Sequence, residues 1–511
     1  MMARKSVVLV TVDCLRADHC GFMGYRRPTT PFLDGLAAES FVFPTAIVTG
    51  VPTFYSFPGI LASRYPLDLG REVLGLAVRE KNLASTLRDD GYATAFFGAA
   101  NPYLLAQFGY DFGFDTFHDF LKSDLAPVSA LDAARGSNWA GGLNRLLENV
   151  SRKIPGMGTA YDELYFEYCQ RWAAPRQQSL DTLRRFPAAD VIIDRAQTWL
   201  ASVGSKPFFL WLHLMDPHSP YYPTEKGLTM LGADQPTSFR VRYLNEYWNR
   251  SDLGTKRLRR YRNEVIDMYD AGICWADAQL SRLVETLRRR KLWDDCVFAL
   301  TADHGEEFLE HDGRYHAPAL AEELIHVPLL LRVPGASKKT LPGKPFSLLN
   351  LAPTLLAAAG SPVPDEFQGQ SQWTNIQRGT EWSEPAIAEC VAQCTNPYHP
   401  EQRRGARLLT VRDARYKLLL NFDNRAKKEE MFDLDADPGE RSPLADDAAR
   451  PERRRLLQAA LAHLRRSACL PLRNSESYLL TRLREIGQTL ARTAIPAGVS
   501  ASGPADPSRA G

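Results

Sequence analysis

Four stretches of the chain share one design: an apolar run, rich in β-branched or aromatic residues, that ends abruptly in polar or ionisable ones. They are "SVVLVTVD" from Ser6, "YATAFFGAAN" from Tyr92, "KPFFLWLHLMD" from Lys206 and "DDCVFALTADHGEE" from Asp294. Runs of this kind predict strands buried inside a sheet. Between them, "TPFLDGLAAES", "KNLASTLRDDG", "DRAQTWLASVG" and "YDAGICWADAQLSRLVETLRRRK" space their apolar residues by three and four, the period of helices with one buried face. Strands alternating with helices predict an α/β fold, a mostly parallel sheet sandwiched by helices. Ligands bind such sheets beyond the carboxyl ends of the strands. Asp13, Asn101, His213, Asp216, Asp303 and His304 fall there.

The pattern changes twice. Residues 121–186 are less regular, broken by "GSNWAGG" and "KIPGMG", and read as an insertion that shapes access to a site. After about residue 377, "ARLLTVRDARYKLLLNF" predicts a two-stranded hairpin, "EEMFDLDADPGERSPLAD" a turn-rich segment and "RPERRRLLQAALAHLRRSA" a basic amphipathic helix. The expected organisation is therefore a catalytic domain over 1–376, a small C-terminal α+β subdomain over 377–470, and a helix with a disordered tail over 471–511. The tail from Ala494 is small-residue, Pro- and Gly-rich.

A length of 511 residues with 44% hydrophobic composition suffices for one large core and a smaller one. The 62 basic and 60 acidic residues nearly cancel, so no global field recommends nucleic acid or an anionic membrane as partner. "MMARKSVVLVTVD" stops being apolar at Asp13 without a cleavage signature, and reads as a strand rather than a leader. No apolar run approaches the eighteen or so residues of a membrane span, so a cytoplasmic protein is expected. The eight cysteines show no CxxC pairing and read as mostly reduced, buried thiols.

Candidate chemistry gathers at the strand ends. Asp13 after one strand and Asp303 with His304 after another can share one divalent cation. His213, Asp216 and His218 follow in "HLMDPHSPYYP", and His311 and His316 in "LEHDGRYHAP". Six of the ten histidines lie between 213 and 326, a concentration that packing alone does not explain.

These motifs resemble the sulfatase-like branch of the alkaline phosphatase superfamily. The resemblance rests on "VVLVTVDCLRADHCGFMGYRRPTTPFLDGLAAES", "ILASRYP", "LASTLRDDGYATAFFG", "MDPHSPY", "LTADHGEEFLEHDGRYH", "EELIHVPLLLRVPG" and "LLNLAPTLLAAAG". With "ARYKLLLNF" and "EEMFDLDADPGE" it runs from Ser6 to Leu444. It implies the alkaline-phosphatase-like sheet and a metal-dependent ester hydrolase or transferase, while leaving open sulfate or phosphate chemistry.

Family sulfatases carry a Cys or Ser in C/S-x-P-x-R that matures to formylglycine. Counting back from "SRYP", the equivalent position here is Thr53, with Tyr55 where Pro is expected and Phe57 where Arg is expected. A threonine cannot yield the formylglycine aldehyde, but in phosphoesterase and phosphotransferase relatives a metal-bound Thr attacks phosphorus directly. Ser56 keeps an S-x-P fragment yet sits a turn too late, and a Thr after "GVP" also suits an ordinary helix cap. Where sulfatases have a Lys-x-His trio the chain has Ala99, Ala100 and Asn101, with Asn101 a candidate donor to a phosphoryl oxygen.

The resemblance thus implies Thr53 as nucleophile, His218 as leaving-group acid, and Asn101 and His316 as catalytic helpers. It implies one or two divalent cations per chain, held from among Asp13, Cys14, Thr53, Asp303, His304, His213 and His316. Cys14 and His304 replace oxygen ligands common in the family, which favours zinc or manganese, with calcium as the alternative. The expected substrate is a small-molecule, lipid or sugar ester, a phosphoester in the leading reading. The alternatives are a sulfuric ester hydrolase working through Ser56 and a non-catalytic binding protein on the same scaffold. No signal bears on oligomeric state.

Overall fold

The structure, a computed structural model, describes residues 4–121, 157–173, 179–337, 341–382, 385–422, 429–467 and 473–493. Two stretches named above, "GSNWAGG" and most of "KIPGMG", lie outside the described residues, as does the tail from Ala494.

Its centre is a seven-stranded sheet in the spatial order Phe41–Val42, Leu329–Arg332, Cys296–Ala302, Ser6–Val12, Phe208–Leu214, Ala93–Gly98 and Thr116–His118. The last five strands are parallel, and the first two complete one edge in antiparallel pairing. Every residue of Phe208–Leu214 and Cys296–Ala302 is buried, as expected where helices cover both faces of a parallel sheet. Among those helices are Ala189–Ser202 and the 28-residue Arg262–Arg289, whose buried residues recur at helical spacing. The four predicted strands and the α/β class are all observed.

Register sets the site. Thr11 lies beside His213 on one side and Thr301 on the other, while Gly98 lies beside His213. Asp13, Asn101 and Asp303 follow the ends of three of these strands and His213 is nearly at the end of the fourth, so four chemically active side chains emerge from one edge.

A second sheet of four antiparallel strands, Ala386–Val391, Arg407–Arg412, Tyr416–Asn421 and Glu429–Asp433, has its own core. Leu409, Val411, Leu418, Leu420 and Met431 pack against Leu456, Leu457 and Leu464 of helix Arg450–Arg466, and against Leu479 and Ile486 of helix Arg473–Thr493. The hairpin and basic helix are as predicted. Two strands of this sheet were not foreseen, Ala386–Val391 and Glu429–Asp433, which opens the segment read as turn-rich; in the central sheet Phe41–Val42, Leu329–Arg332 and Thr116–His118 were not foreseen either.

Seven cysteines lie among the described residues, all unpaired, six of them buried and Cys169 half-buried. Among the described residues no helix is long and apolar enough to cross a membrane.

Candidate active site

The turn after the first strand carries Asp13 and Cys14. Asp13 donates its amide to Leu214 O at 2.8 Å, continuing the sheet. The Tyr269 hydroxyl donates to Cys14 O at 2.7 Å and accepts from Arg16 N at 3.0 Å. These two bonds fix a turn in which Cys14 adopts a left-handed φ of 61°, a conformation that non-glycine residues take only when the surroundings enforce it.

Asp13 is the hub. Its Oδ2 accepts from Asn101 Nδ2 at 2.8 Å and lies 3.2 Å from His213 Nε2. Its Oδ1 accepts from Cys14 Sγ at 3.0 Å and lies 3.7 Å from His304 Nε2 and 4.0 Å from His218 Nε2. The His213 ring is oriented through Nδ1, 3.0 Å from Thr11 Oγ1, which also accepts from Trp211 Nε1 at 3.0 Å.

On the neighbouring strand, His304 N donates to Asp303 Oδ1 at 3.1 Å, and His304 Nδ1 donates to Gly305 O at 2.9 Å. That second bond leaves His304 Nε2 as the ring's lone pair, 3.1 Å from Thr53 Oγ1 and 3.4 Å from Asp303 Oδ2. Gly305 permits the arrangement because a Cβ there would sit 1.9 Å from Glu323 O.

Thr53 opens the helix Thr53–Ala62, with Pro52 in the cap position. The ordinary cap role considered for Thr53 is therefore not the one it has: its hydroxyl bonds His304, not its own helix. Ser56 is fully buried, and its Oγ has no hydrogen-bond partner. Phe57, at the position of the family arginine, packs its ring 5.3 Å from those of His213 and Trp211.

His316 joins from the hairpin that follows Asp303. Its Nδ1 lies 3.3 Å from Cys14 Sγ and 3.2 Å from Glu306 Oε2, and its ring is 4.6 Å from that of His304 and 4.9 Å from that of His218. Glu306 went unremarked in the sequence although it stands inside "TADHGEE", and it is fully buried. Burial pushes its carboxyl up, but His316, with Cys14 and His218, outweighs burial and holds it below the usual range.

The donor atoms fall into overlapping groups, each within 4.8 Å: Asp13, His213 and Asp303; Cys14, His304 and His316; Asp13, Cys14 and His218. All seven of these side chains meet, His213 with the two aspartates and His304 with Cys14 and His316. Asp216 does not join them. Its Oδ1 accepts from Arg184 Nη2 at 2.9 Å and from Ala189 N at 3.2 Å. His311 lies in a separate group with Glu323 and Glu440.

The donor set fits a divalent cation. Asp13 and Asp303 are both 0% exposed, and Asp303 Oδ2 accepts no hydrogen bond. Burial and then the neighbouring Asp13 push Asp303 above the usual carboxylate range; for Asp13, burial is outweighed by His218, His213 and His304, which hold it well below. Two buried carboxylates in contact with imidazole nitrogens, one oxygen unbonded, form a site that a cation completes.

Above the cluster opens a cavity of about 570 Å³. Thr53, Asn101, His218 and His316 line it, with walls that include Arg185, Glu246, Tyr222 and Tyr315. Arg185 belongs to the stretch read from sequence as an access-shaping insertion. Ser56 and Asp303 are not on the lining.

Comparison with known proteins gives the family. The sulfatase family profile matches residues 5–361, and that of the N-sulphoglucosamine sulphohydrolase C-terminal region matches 310–467. Choline-sulfatase of Rhizobium meliloti is 27% identical over 270 residues, 48% of this chain and 48% of its own length, so the chain spans about half of that relative. An arylsulfatase of Clostridium perfringens is 25% identical over 481 residues, 88% of this chain and 92% of its own. Among solved structures, the phosphonate monoester hydrolase of Agrobacterium radiobacter superposes with a TM-score of 0.62 at 19% identity, covering 90% of this chain and 95% of the other, which is likeness of fold. With its profile matching more than half the chain, this protein belongs to the sulfatase family.

Proposed function

We propose that the chain hydrolyses or transfers a phosphoester, mono- or diester, with Thr53 as the nucleophile. One observation carries the reading: Thr53 lines the cavity at the start of a ten-residue helix, with its hydroxyl 3.1 Å from His304 Nε2. Unpaired amides at a helix start favour the negative charge that a phosphoryl group brings to such a hydroxyl. A divalent cation held by Asp13, Asp303, His304 and His213, with Cys14 and His316 as further donors, would lower the pKa of the hydroxyl and offset charge on the transferred group.

The chain's own groups supply the rest. Asn101 keeps Asp13 oriented through its amide, a use of that side chain additional to the expected contact with a phosphoryl oxygen. His218 is 17% exposed on its side chain and lines the cavity, and its Nδ1 donates to Ser219 O. That bond fixes the ring through Nδ1, and in the imidazolium form Nε2 carries the proton that goes to the departing oxygen. His316, backed by Glu306, is a second cavity-lining imidazole that can share this work.

Sulfate esters are the second reading, favoured by the names of the matched relatives. The version that runs through Ser56 has against it a fully buried hydroxyl off the cavity lining. A panel of nitrophenyl phosphate, phosphodiester and sulfate substrates, run with Thr53→Ala and Ser56→Ala, tests both. The expected result is phosphoester turnover that Thr53→Ala lowers by several orders of magnitude and Ser56→Ala barely alters. Sulfatase activity with an aldehyde at Ser56 in the mass spectrum would overturn it.

A further inference from the structure

The helix that begins at Thr53 is held from outside its own domain. Just before it, Thr49 O accepts from Glu389 N at 2.9 Å, in strand Ala386–Val391 of the smaller sheet. Between them Gly50 lets the two backbones approach, since a Cβ there would meet Glu389 O at 2.5 Å and Tyr55 Cβ at 2.8 Å. Just after the helix, Leu67 N donates to Glu389 Oε1 at 3.1 Å. One residue of the smaller unit thus grips both flanks of the helix, by its backbone on one side and its carboxylate on the other.

The grip is itself braced. Glu389 Oε2 accepts from Arg407 Nε at 2.9 Å and from His463 Nε2 at 3.0 Å. Arg407 comes from the next strand and His463 from helix Arg450–Arg466, so the carboxylate is fixed by two further elements of that unit. The side chains of Glu389, Arg407 and His463 are 0%, 2% and 3% exposed. The His463 ring also packs edge-on against Tyr65, three residues beyond the helix, at 4.4 Å between centroids. An exposed ion pair would be worth little, but a buried, hydrogen-bonded network fixes geometry.

We propose that Glu389, Arg407 and His463 are positioning residues that hold the Thr53 end of the helix in register with His304 and Asp303. The inference rests on the reading of Thr53 as nucleophile. Among the described residues, none of the hydrogen bonds of this network reaches a side chain of the cavity lining, so its loss should displace the nucleophile without altering substrate contacts. A misplacement of about 1 Å at a reacting group costs about 10²-fold in rate.

The test compares Glu389→Gln, Arg407→Met and Arg407→Lys in the full chain, each confirmed folded by circular dichroism. Hydrogen exchange over residues 48–67 is read beside kcat and KM for the best nitrophenyl ester. The expected result for Glu389→Gln and Arg407→Met is faster exchange confined to 48–67 and to strands Ala386–Val391 and Arg407–Arg412, with kcat down about 10²-fold and KM within twofold. Arg407→Lys should recover part of the loss, because it restores the charge without the two-pronged geometry. Wild-type kcat in both Glu389→Gln and Arg407→Met, or exchange that rises evenly through the fold, would overturn the proposal. If Thr53→Ala keeps full activity while Glu389→Gln still shows the local exchange and the kcat loss, the nucleophile reading fails and the positioning role stands. If Thr53→Ala is inactive while Glu389→Gln is unimpaired, the nucleophile reading stands and the positioning role fails.

Discussion

Protonating Glu389 should loosen the smaller unit, and the size of the effect follows from its surroundings. Burial alone would push this carboxyl up, but Arg407 and then His463 override burial and bring it from an ordinary 4.5 down to about 2. A group whose pKa falls on folding stabilises the fold above its unfolded value and loses that contribution as pH falls towards the folded one. Here the window runs from about 4.5 to about 2. At about 1.4 kcal/mol per tenfold change, the full contribution is about 3 kcal/mol, of which about 2 kcal/mol is gone by pH 3. Screening removes little, since Glu389 is fully buried and Arg407 only 2% exposed on its side chain. The figure also agrees with the 3–5 kcal/mol typical of breaking a buried pair. Native-state hydrogen exchange in urea, read on strand Arg407–Arg412, measures the local free energy in the wild type and in Glu389→Gln. The variant should be about 3 kcal/mol less stable at pH 7, and the gap should shrink to about 1 kcal/mol at pH 3. A gap that stays constant with pH would refute the assignment of the ionised carboxylate as the source of the stabilisation.

Two further outcomes follow from the site. Asp303→Asn keeps the side chain's size but removes the charge that Oδ2 presents to a cation, so bound metal measured by mass spectrometry should fall by at least tenfold, and activity with it; full occupancy in that variant would remove Asp303 from the ligand set. His218→Ala should slow alkyl esters far more than nitrophenyl esters, whose oxygen leaves without a proton. An equal fall in both classes, partly rescued by added metal, would mark His218 as a ligand instead.

The fold was legible because four of the five parallel strands declare themselves twice, once by an apolar run and again by the polar residue that ends it, while the short, half-buried Thr116–His118 does not. Asp13, Asn101, His213 and Asp303 were found by that rule, and the sheet register that aligns Thr11, His213 and Thr301 then brings their side chains together. The rule cannot tell which strand-end acid faces the cluster. Asp216 follows a central strand as Asp13 and Asp303 do, yet its turn delivers it to Arg184, from the stretch read only as irregular. Glu306 escaped notice for a related reason: its role depends on His316, and the short hairpin of Glu307–Phe308 with Arg314–Tyr315 returns that histidine to it. Local periodicity carries no record of such encounters. Glu389 lay further out of reach, because its partners Thr49 and Leu67 are more than 300 residues away.

The departures from C/S-x-P-x-R form one packing arrangement rather than scattered losses. Phe57 is 0% exposed, with its ring held between those of Trp211 and His213. An arginine there would bring a guanidinium against an indole and an imidazole already committed through Thr11, displacing that packing. Tyr55, two residues earlier, is 5% exposed and packs its ring against that of Phe54 at 4.5 Å, filling space that a proline would leave open. Restoring the sulfatase arginine alone would therefore meet a core built to exclude it. Phe57 packs its apolar ring against that of His213, and Asp13, His213 and Asp303 are each 0% exposed, so a low local dielectric strengthens the charge interactions among them. On the proposed reading, these departures leave Thr53 beside a buried cluster of charged side chains, the setting in which an unmodified hydroxyl would serve as the nucleophile.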